Sequence, residues 1–102
     1  MLLSNIMTDG NEKLKSTLKK IVKRTIEEQF AEQNIELIDM EIKGNRSKRL
    51  LRIFIDKKDG ITLEDCANFS KGLSVMLDVA NSIEAGYTLE VSSPGGRKKQ
   101  IL

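Results

Sequence analysis

A chain of 102 residues with 39 % hydrophobic and 31 % charged side chains has the size and composition of one compact domain, which excludes a second core and a wholly disordered chain. Its single cysteine and lack of histidine exclude an intramolecular disulfide and the usual zinc and iron–sulfur sites. The net charge of +2 does not by itself indicate a nucleic-acid-binding protein, and no apolar run approaches the ~20 residues that span a bilayer.

The first predicted element is a long helix from Asn11 to Asn34, preceded by a flexible tail at residues 1–10. Apolar residues recur in it at spacings of three and four, as on one face of a helix: Leu14, Leu18, Ile21, Val22, Ile26 and Phe30. Basic residues occupy much of the remaining surface: Lys13, Lys19, Lys20, Lys23 and Arg24. These could face phosphates, although an ordinary solvated helix surface explains them more simply.

From Ile35 the apolar period changes to two, which predicts two strands. The inward side chains would be Ile38, Met40 and Ile42 in the first strand and Leu51, Ile53 and Ile55 in the second. The polar, glycine-containing loop 44–48 predicts an antiparallel hairpin. Its tip is basic, since residues 43–58 hold seven bases against Asp56 alone, whereas residues 27–41 hold six acids and no base.

Two interpretations of the basic tip stay open. Arg46, Lys48 and Arg49 could contact phosphates, or the charges could keep a solvated edge from aggregating. Arg97, in the basic run 97–99, could extend the patch or belong to a solvated tail. Neither cluster is interleaved with aromatic residues, so recognition by base stacking is disfavoured.

A turn at Asp59 and Gly60 precedes a second helix, for which Thr62 is the predicted N-cap, with Glu64 and Asp65 in the first turn. Its predicted inner face consists of Leu63, Cys66, Ala67, Phe69, Ser70, Leu73, Met76 and Leu77. Gly72 is expected to permit a close approach to the layer beneath. After a loop at 78–86, a third strand runs from Tyr87 to Ser92.

The order helix, strand, strand, helix, strand predicts an α+β, two-layer sandwich in which two helices cover one face of a three-stranded sheet. The strand order stays open, and the other face of the sheet is expected to be polar and solvated. No catalytic residue, metal or cofactor is predicted. Cys66 is interpreted as a buried small hydrophobe, and the acids around residue 60 are explained by turn formation and capping, because they lack the ligand spacing of a calcium loop.

Several segments, in order, resemble the N-terminal domain of the ribosome maturation factor RimP family. They are IELIDME at 35–41, LRIFIDK at 51–57, GITLEDC at 60–66 with SKGLS at 70–74, and YTLEVSSPG at 87–95. The last is the most specific, because its strand runs into a Ser-Ser-Pro-Gly turn. The motif residues in it are Glu90, Val91, Ser92, Ser93, Pro94 and Gly95.

The resemblance implies a cytoplasmic, non-enzymatic factor that binds the immature small ribosomal subunit during its assembly, through ribosomal RNA, a ribosomal protein or both. It implies no membrane, small-molecule substrate or cofactor. The family's fold is reminiscent of one class of KH domains, but the G-x-x-G phosphate loop of those domains is not found here, so the analogy assigns no RNA contacts. The alternative is a protein–protein interaction or dimerisation module without direct RNA contact.

Two departures from the family pattern define the expected domain organisation. The family continues after the Pro-Gly turn into a small β-barrel domain, whereas this chain continues with residues 96–102 as a basic tail or the start of a missing linker. The loop 81–86 also lacks the proline that family members tend to have. We therefore expect one domain at residues 11–95, in a truncated, frameshifted or naturally short chain, that binds more weakly or differently than a two-domain member.

Overall fold

The computed structural model describes the backbone of residues 2–45, 48–80 and 87–94, with side chains from residue 12 onward. Helix α1 spans Leu2–Gln29, and a single 3-10 turn, Ala31–Gln33, connects it to strand β1, Ile35–Asn45. Strand β2 spans Lys48–Lys57, helix α2 spans Leu63–Ala80 and strand β3 spans Tyr87–Ser92. This confirms the predicted α+β fold with its α-β-β-α-β order.

Helix α1 begins at Leu2 rather than at Asn11 and ends at Gln29 rather than at Asn34. The apolar repeats do not mark the start of the helix. Once a helix has formed, each further residue adds one backbone hydrogen bond, so the helix can extend beyond its apolar face. At the other end, Phe30 leaves the helical region with φ −131° and ψ 25°. Asn34, at φ 56° and ψ 43°, adopts the left-handed conformation that asparagine tolerates, and it turns the chain into β1.

The three strands are arranged in the order β1-β2-β3. Strands β1 and β2 are antiparallel, from the pair Ile35 and Lys57 to the pair Asn45 and Lys48 at the hairpin tip. Strand β3 is parallel to β2, from the pair Arg49 and Tyr87 onward. The crossover through α2 thus returns the chain to the strand it left, which settles the order that the sequence left open.

A β-bulge in β1 corrects one part of the predicted core. The register passes from Leu37 opposite Ile55 directly to Asp39 opposite Phe54, which leaves Ile38 without a partner. The extra residue shifts the alternation by one position, so Ile35 and Leu37 face the core before the bulge, and Met40 and Ile42 face it afterwards. Ile38, predicted to point inward, lies outside the core cluster.

The core lies between the helices and one face of the sheet. Its fully buried members come from α1, β2 and α2: Leu18, Val22, Leu51, Ile53, Ile55, Phe69 and Leu73. The rings of Phe30 and Phe69 are tilted at 48° with centroids 5.1 Å apart, a favourable aromatic geometry. They join the end of α1 to the middle of α2.

The inner face of α2 differs from the prediction at its beginning. Leu63 is 90 % exposed and Ala67 is exposed, because the buried face of α2 follows Cys66, Phe69, Leu73 and Leu77. Gly72 does permit a close approach, as predicted. The neighbour is the end of α1 rather than the sheet, since a β-carbon at Gly72 would lie 3.0 Å from Phe30 Cε2.

The side of the sheet opposite the helices is only partly solvated, contrary to the expectation. Phe54 and Asp56 lie on this side by their alternation with the core residues of β2, yet each is 7 % exposed.

Within the part of the chain that the structure describes, neither helix is long and apolar enough to cross a membrane.

Candidate nucleic-acid interface

The described part of the hairpin tip is shaped by Gly44 and Asn45. Gly44 has φ +89°, and a β-carbon there would clash with the carbonyl oxygen of Lys48, so no other residue fits without moving the strand end. The main-chain N–H of Lys48 donates to Asn45 Oδ1 at 3.2 Å. Lys43 and Lys48 are both exposed at this end of the hairpin. Arg46 lies outside the described residues, as does Arg97.

Arg49 lies on the opposite face of the sheet from Lys48, because adjacent strand residues alternate. It shares the core side with Leu51 and pairs with Tyr87 of β3. Its Nε is buried and has no hydrogen-bond partner among the described residues. The paired residue Tyr87 is also partly buried, and this burial, followed by the charge of Asp78, raises the pKa of its hydroxyl. Of the four predicted phosphate-binding residues, the two that the structure describes therefore differ: Lys48 is exposed and Arg49 is half-buried.

Arg52, although part of the basic stretch, is held between two glutamates on the open face. Its Nε donates to Glu90 Oε1 at 2.6 Å and its Nη1 to Glu41 Oε1 at 3.5 Å. These side chains come from adjacent positions on the three strands. The hydrogen bond that Arg52 donates to Glu90, together with the negative charge of Glu90, raises the pKa of Arg52. Arg52 therefore links the strands, and its charge is already compensated.

This arrangement assigns structural roles to the motif near the end of the chain. Glu90 anchors Arg52, and Val91 packs against the core beside Ile53. Pro94 is buried, while Ser93 is exposed. Gly95, the last motif residue, lies outside the described residues. The described part of the motif secures β3 to the sheet.

Thr62 and Asp65 form a reciprocal cap at the start of α2, as the sequence predicts. Thr62 Oγ1 accepts the N–H of Asp65 at 3.0 Å, and the N–H of Thr62 donates to Asp65 Oδ2 at 3.0 Å. Lys57 Nζ lies 3.3 Å from the same oxygen. These contacts lower the pKa of Asp65, with the backbone hydrogen bond from Thr62 as the main cause.

The described residues contain no group of three or more side chains suited to hold a metal ion. Cys66 is buried, and burial followed by the charge of Asp65 raises the pKa of its thiol. Because the thiolate is the reactive form, Cys66 has the environment of a structural residue.

A shallow groove runs between α1 and the edge strand β1. One end is lined by Glu12, Lys15, Lys19 and Ile42, and the middle is lined by the same two lysines with Leu37 and Asp39. The other end is lined by residues further along α1 and by the beginning of β1: Lys23, Ile26, Glu27, Ile35, Glu36 and Leu37. The helix thus runs antiparallel to β1, and its earlier turns lie toward the hairpin tip.

This geometry adds Lys15 to the basic residues singled out from the sequence. It was missed because it lies between the apolar stripe and the outer surface of α1. The signal that could have found it is its spacing, since Lys15, Lys19 and Lys23 follow one another at intervals of four residues.

Comparison with known protein families gives a match to the RimP N-terminal domain over residues 25–97. The matched region comprises well over half of the chain. It begins in the last part of α1 and includes both strands of the hairpin, α2 and β3.

Proposed function

Since the chain belongs to the ribosome maturation factor RimP family, we propose that this domain docks on the immature small ribosomal subunit in the cytoplasm and performs no chemistry of its own. The family is one of assembly factors for the small subunit rather than a class of enzymes. We further propose that the domain docks directly, through phosphate contacts at the hairpin tip. The side chains found at the tip support this proposal.

The observation that carries this proposal is the exposed, uncompensated charge at the end of the hairpin. Lys48 is exposed and forms no ion pair within the described part of the chain, and Lys43 is exposed nearby. By contrast, the Arg52 guanidinium bonds to Glu41 and Glu90. Free lysines at a strand end can reach phosphate oxygens, and each such contact adds a salt-dependent increment to affinity.

The test is co-sedimentation of the protein with immature small subunits over roughly 50 to 200 mM salt, the range in which phosphate contacts are resolved. Lys48→Glu should weaken binding and reduce the slope of log K against log salt by about 0.7 to 0.9, the share of one phosphate contact. Lys58→Glu is the matched control, because Lys58 is also exposed but lies in the turn at the other end of β2.

Equal effects of the two variants would show that net charge rather than the tip governs binding. Absence of binding at every salt concentration would refute docking by this domain. Arg49 is unsuited to the same experiment, because reversing a half-buried charge on the core side of the sheet would itself destabilise the fold.

A protein–protein interaction module is the second candidate function. The outer edges of β1 and β3 are unpaired in the described sheet, and an open edge can pair with a strand of another chain. Solution mass at two concentrations tests dimerisation through such an edge: a mass that doubles with concentration supports it, and a constant monomer mass rejects it.

A further inference from the structure

We propose that the basic side of α1 is a second surface that binds the sugar–phosphate backbone of RNA, continuous with the hairpin tip. The proposal rests on the proposed function, because the RNA concerned would be that of the small subunit. The surface consists of six exposed side chains: Lys13, Lys15, Lys19, Lys20, Lys23 and Arg24. It precedes the region of the family match, so it rests on this chain's own residues.

The charge density of this surface exceeds what an ordinary solvated helix requires. Residues 13–24 hold six bases and no acid. Of these six bases, only Arg24 has a salt-bridge partner among the described residues, Glu28 at 3.1 Å. Lys15, Lys19 and Lys23 are like charges at i,i+4 spacing, an arrangement that weakly destabilises a helix. A bound polyanion would relieve this repulsion.

The packing of α1 on the sheet joins two basic clusters that are separate in the sequence. Lys15 and Lys19 line the groove beside Met40 and Ile42, just before β1 reaches Lys43 and the tip. Successive lysines of the row are about 6 Å apart along the helix axis, from the rise of 1.5 Å per residue. A nucleic-acid backbone that follows the lysine row on α1 would therefore meet positive charge from Lys23 to the hairpin tip, while the groove beside the row also holds four acids, Glu12, Glu27, Glu36 and Asp39.

The surface suits a phosphate backbone better than a protein partner. Protein interfaces are centred on buried apolar or aromatic anchors, but the large exposed hydrophobic residues, among those described, all lie on α2: Leu63, Val75 and Val79. The bulge at Ile38 interrupts the β1 edge, as bulges that protect edges from strand pairing do. No aromatic ring lines the groove along its described walls, so contact would be with backbone and independent of base sequence.

The experiment measures binding of the protein to protein-free small-subunit RNA as a function of salt. The test variant is Lys19→Gln with Lys23→Gln, because glutamine keeps the helix propensity of lysine while removing its charge. The matched control is Lys58→Gln with Lys71→Gln, which removes two exposed charges from other elements. The test variant should reduce the slope of log K against log salt by about 1.4, because each lost single-strand phosphate contact accounts for about 0.7. The control variant should leave the slope unchanged.

Four results would overturn the proposal. The first is that the unaltered protein does not bind RNA at low salt. The second and third are that the test variant leaves the slope of log K against log salt unchanged, or that both variants reduce this slope equally. The fourth is that the test variant weakens binding to intact subunits but not to protein-free RNA. The last result would mean that the surface contacts a protein. The two proposals fail separately. If Lys48→Glu leaves subunit binding intact, phosphate docking at the hairpin tip fails. If the α1 variant still weakens RNA binding in that case, the α1 surface stands.

Discussion

Replacing Thr62 by alanine should destabilise the domain by about 1 kcal/mol, a typical value for loss of a threonine N-cap. The substitution removes the hydroxyl that accepts the N–H of Asp65 at 3.0 Å. It leaves the second bond of the cap, from the main-chain N–H of residue 62 to Asp65 Oδ2. Because the cap is exposed, water can partly replace the lost acceptor, which keeps the loss below the 2 kcal/mol upper end of the range.

Thr17→Ala is the matched control, since it removes the same hydroxyl from the middle of α1. There Thr17 Oγ1 donates to the carbonyl of Lys13 at 3.2 Å, an oxygen that the helix already engages. Such bonds slightly destabilise or bend helices, and alanine has the higher helix propensity. Thr17→Ala should therefore leave the free energy of unfolding unchanged or raise it by up to about 0.5 kcal/mol.

Urea unfolding followed by far-UV circular dichroism measures both variants, and thermal unfolding provides a second estimate. A loss of about 1 kcal/mol lowers the melting temperature of a domain of this size by roughly 4 to 8 °C. Equal losses for Thr62→Ala and Thr17→Ala would refute the reasoning, because the effect would then follow from the chemical change and not from the capping position.

Three further predictions concern α2. Because the pKa of Asp65 is lowered from 3.8, its stabilising contribution is present above that pH and lost as pH falls through the folded-state value; acid titration of stability should be flatter for Asp65→Asn. Gly72→Ala should lower the free energy of unfolding in urea by about 1 kcal/mol, because the new β-carbon would crowd Gln29 Oε1 at 2.6 Å and the Phe30 ring at 3.0 Å, and this overpacking costs more than the ~1 kcal/mol gained in helix propensity. Cys66, buried and with a raised thiol pKa, should react with a thiol reagent only as fast as the protein unfolds, and rapid native labelling would contradict this.

The element order could be predicted because hydrophobic period and turn chemistry agree along most of the chain. In β2, Leu51, Ile53 and Ile55 alternate without interruption, and all three are fully buried. In β1 the same argument failed at Ile38. Apolar residues occupy both possible phases there, 35 and 37 as well as 38, 40 and 42, and only pairing with β2 decides where the extra residue is accommodated.

The candidate site was less predictable, because charge in the sequence does not specify a charge partner. The alternation in β2 already implied that Arg49 and Lys48 point to opposite faces. That Arg52 is compensated could not be inferred, since its partners Glu41 and Glu90 are brought beside it by the register of both other strands. The strand order, which creates that contact, depends on where the crossover through α2 returns the chain.

The net charge of +2 understates the electrostatic character of the basic side of α1, because residues 13–24 hold six bases and no acid, whereas residues 27–41 hold six acids and no base. The groove beside this surface has mixed charge, because Lys15 and Lys19 line it together with Glu12 and Asp39, and Lys23 lines it together with Glu27 and Glu36. A polyanion would therefore be attracted to the exposed bases of residues 13–24 and repelled by the acidic stretch that follows them in the chain. The salt dependence of RNA binding should accordingly reflect the local lysines, and it should exceed that expected for a uniformly charged protein carrying two positive charges.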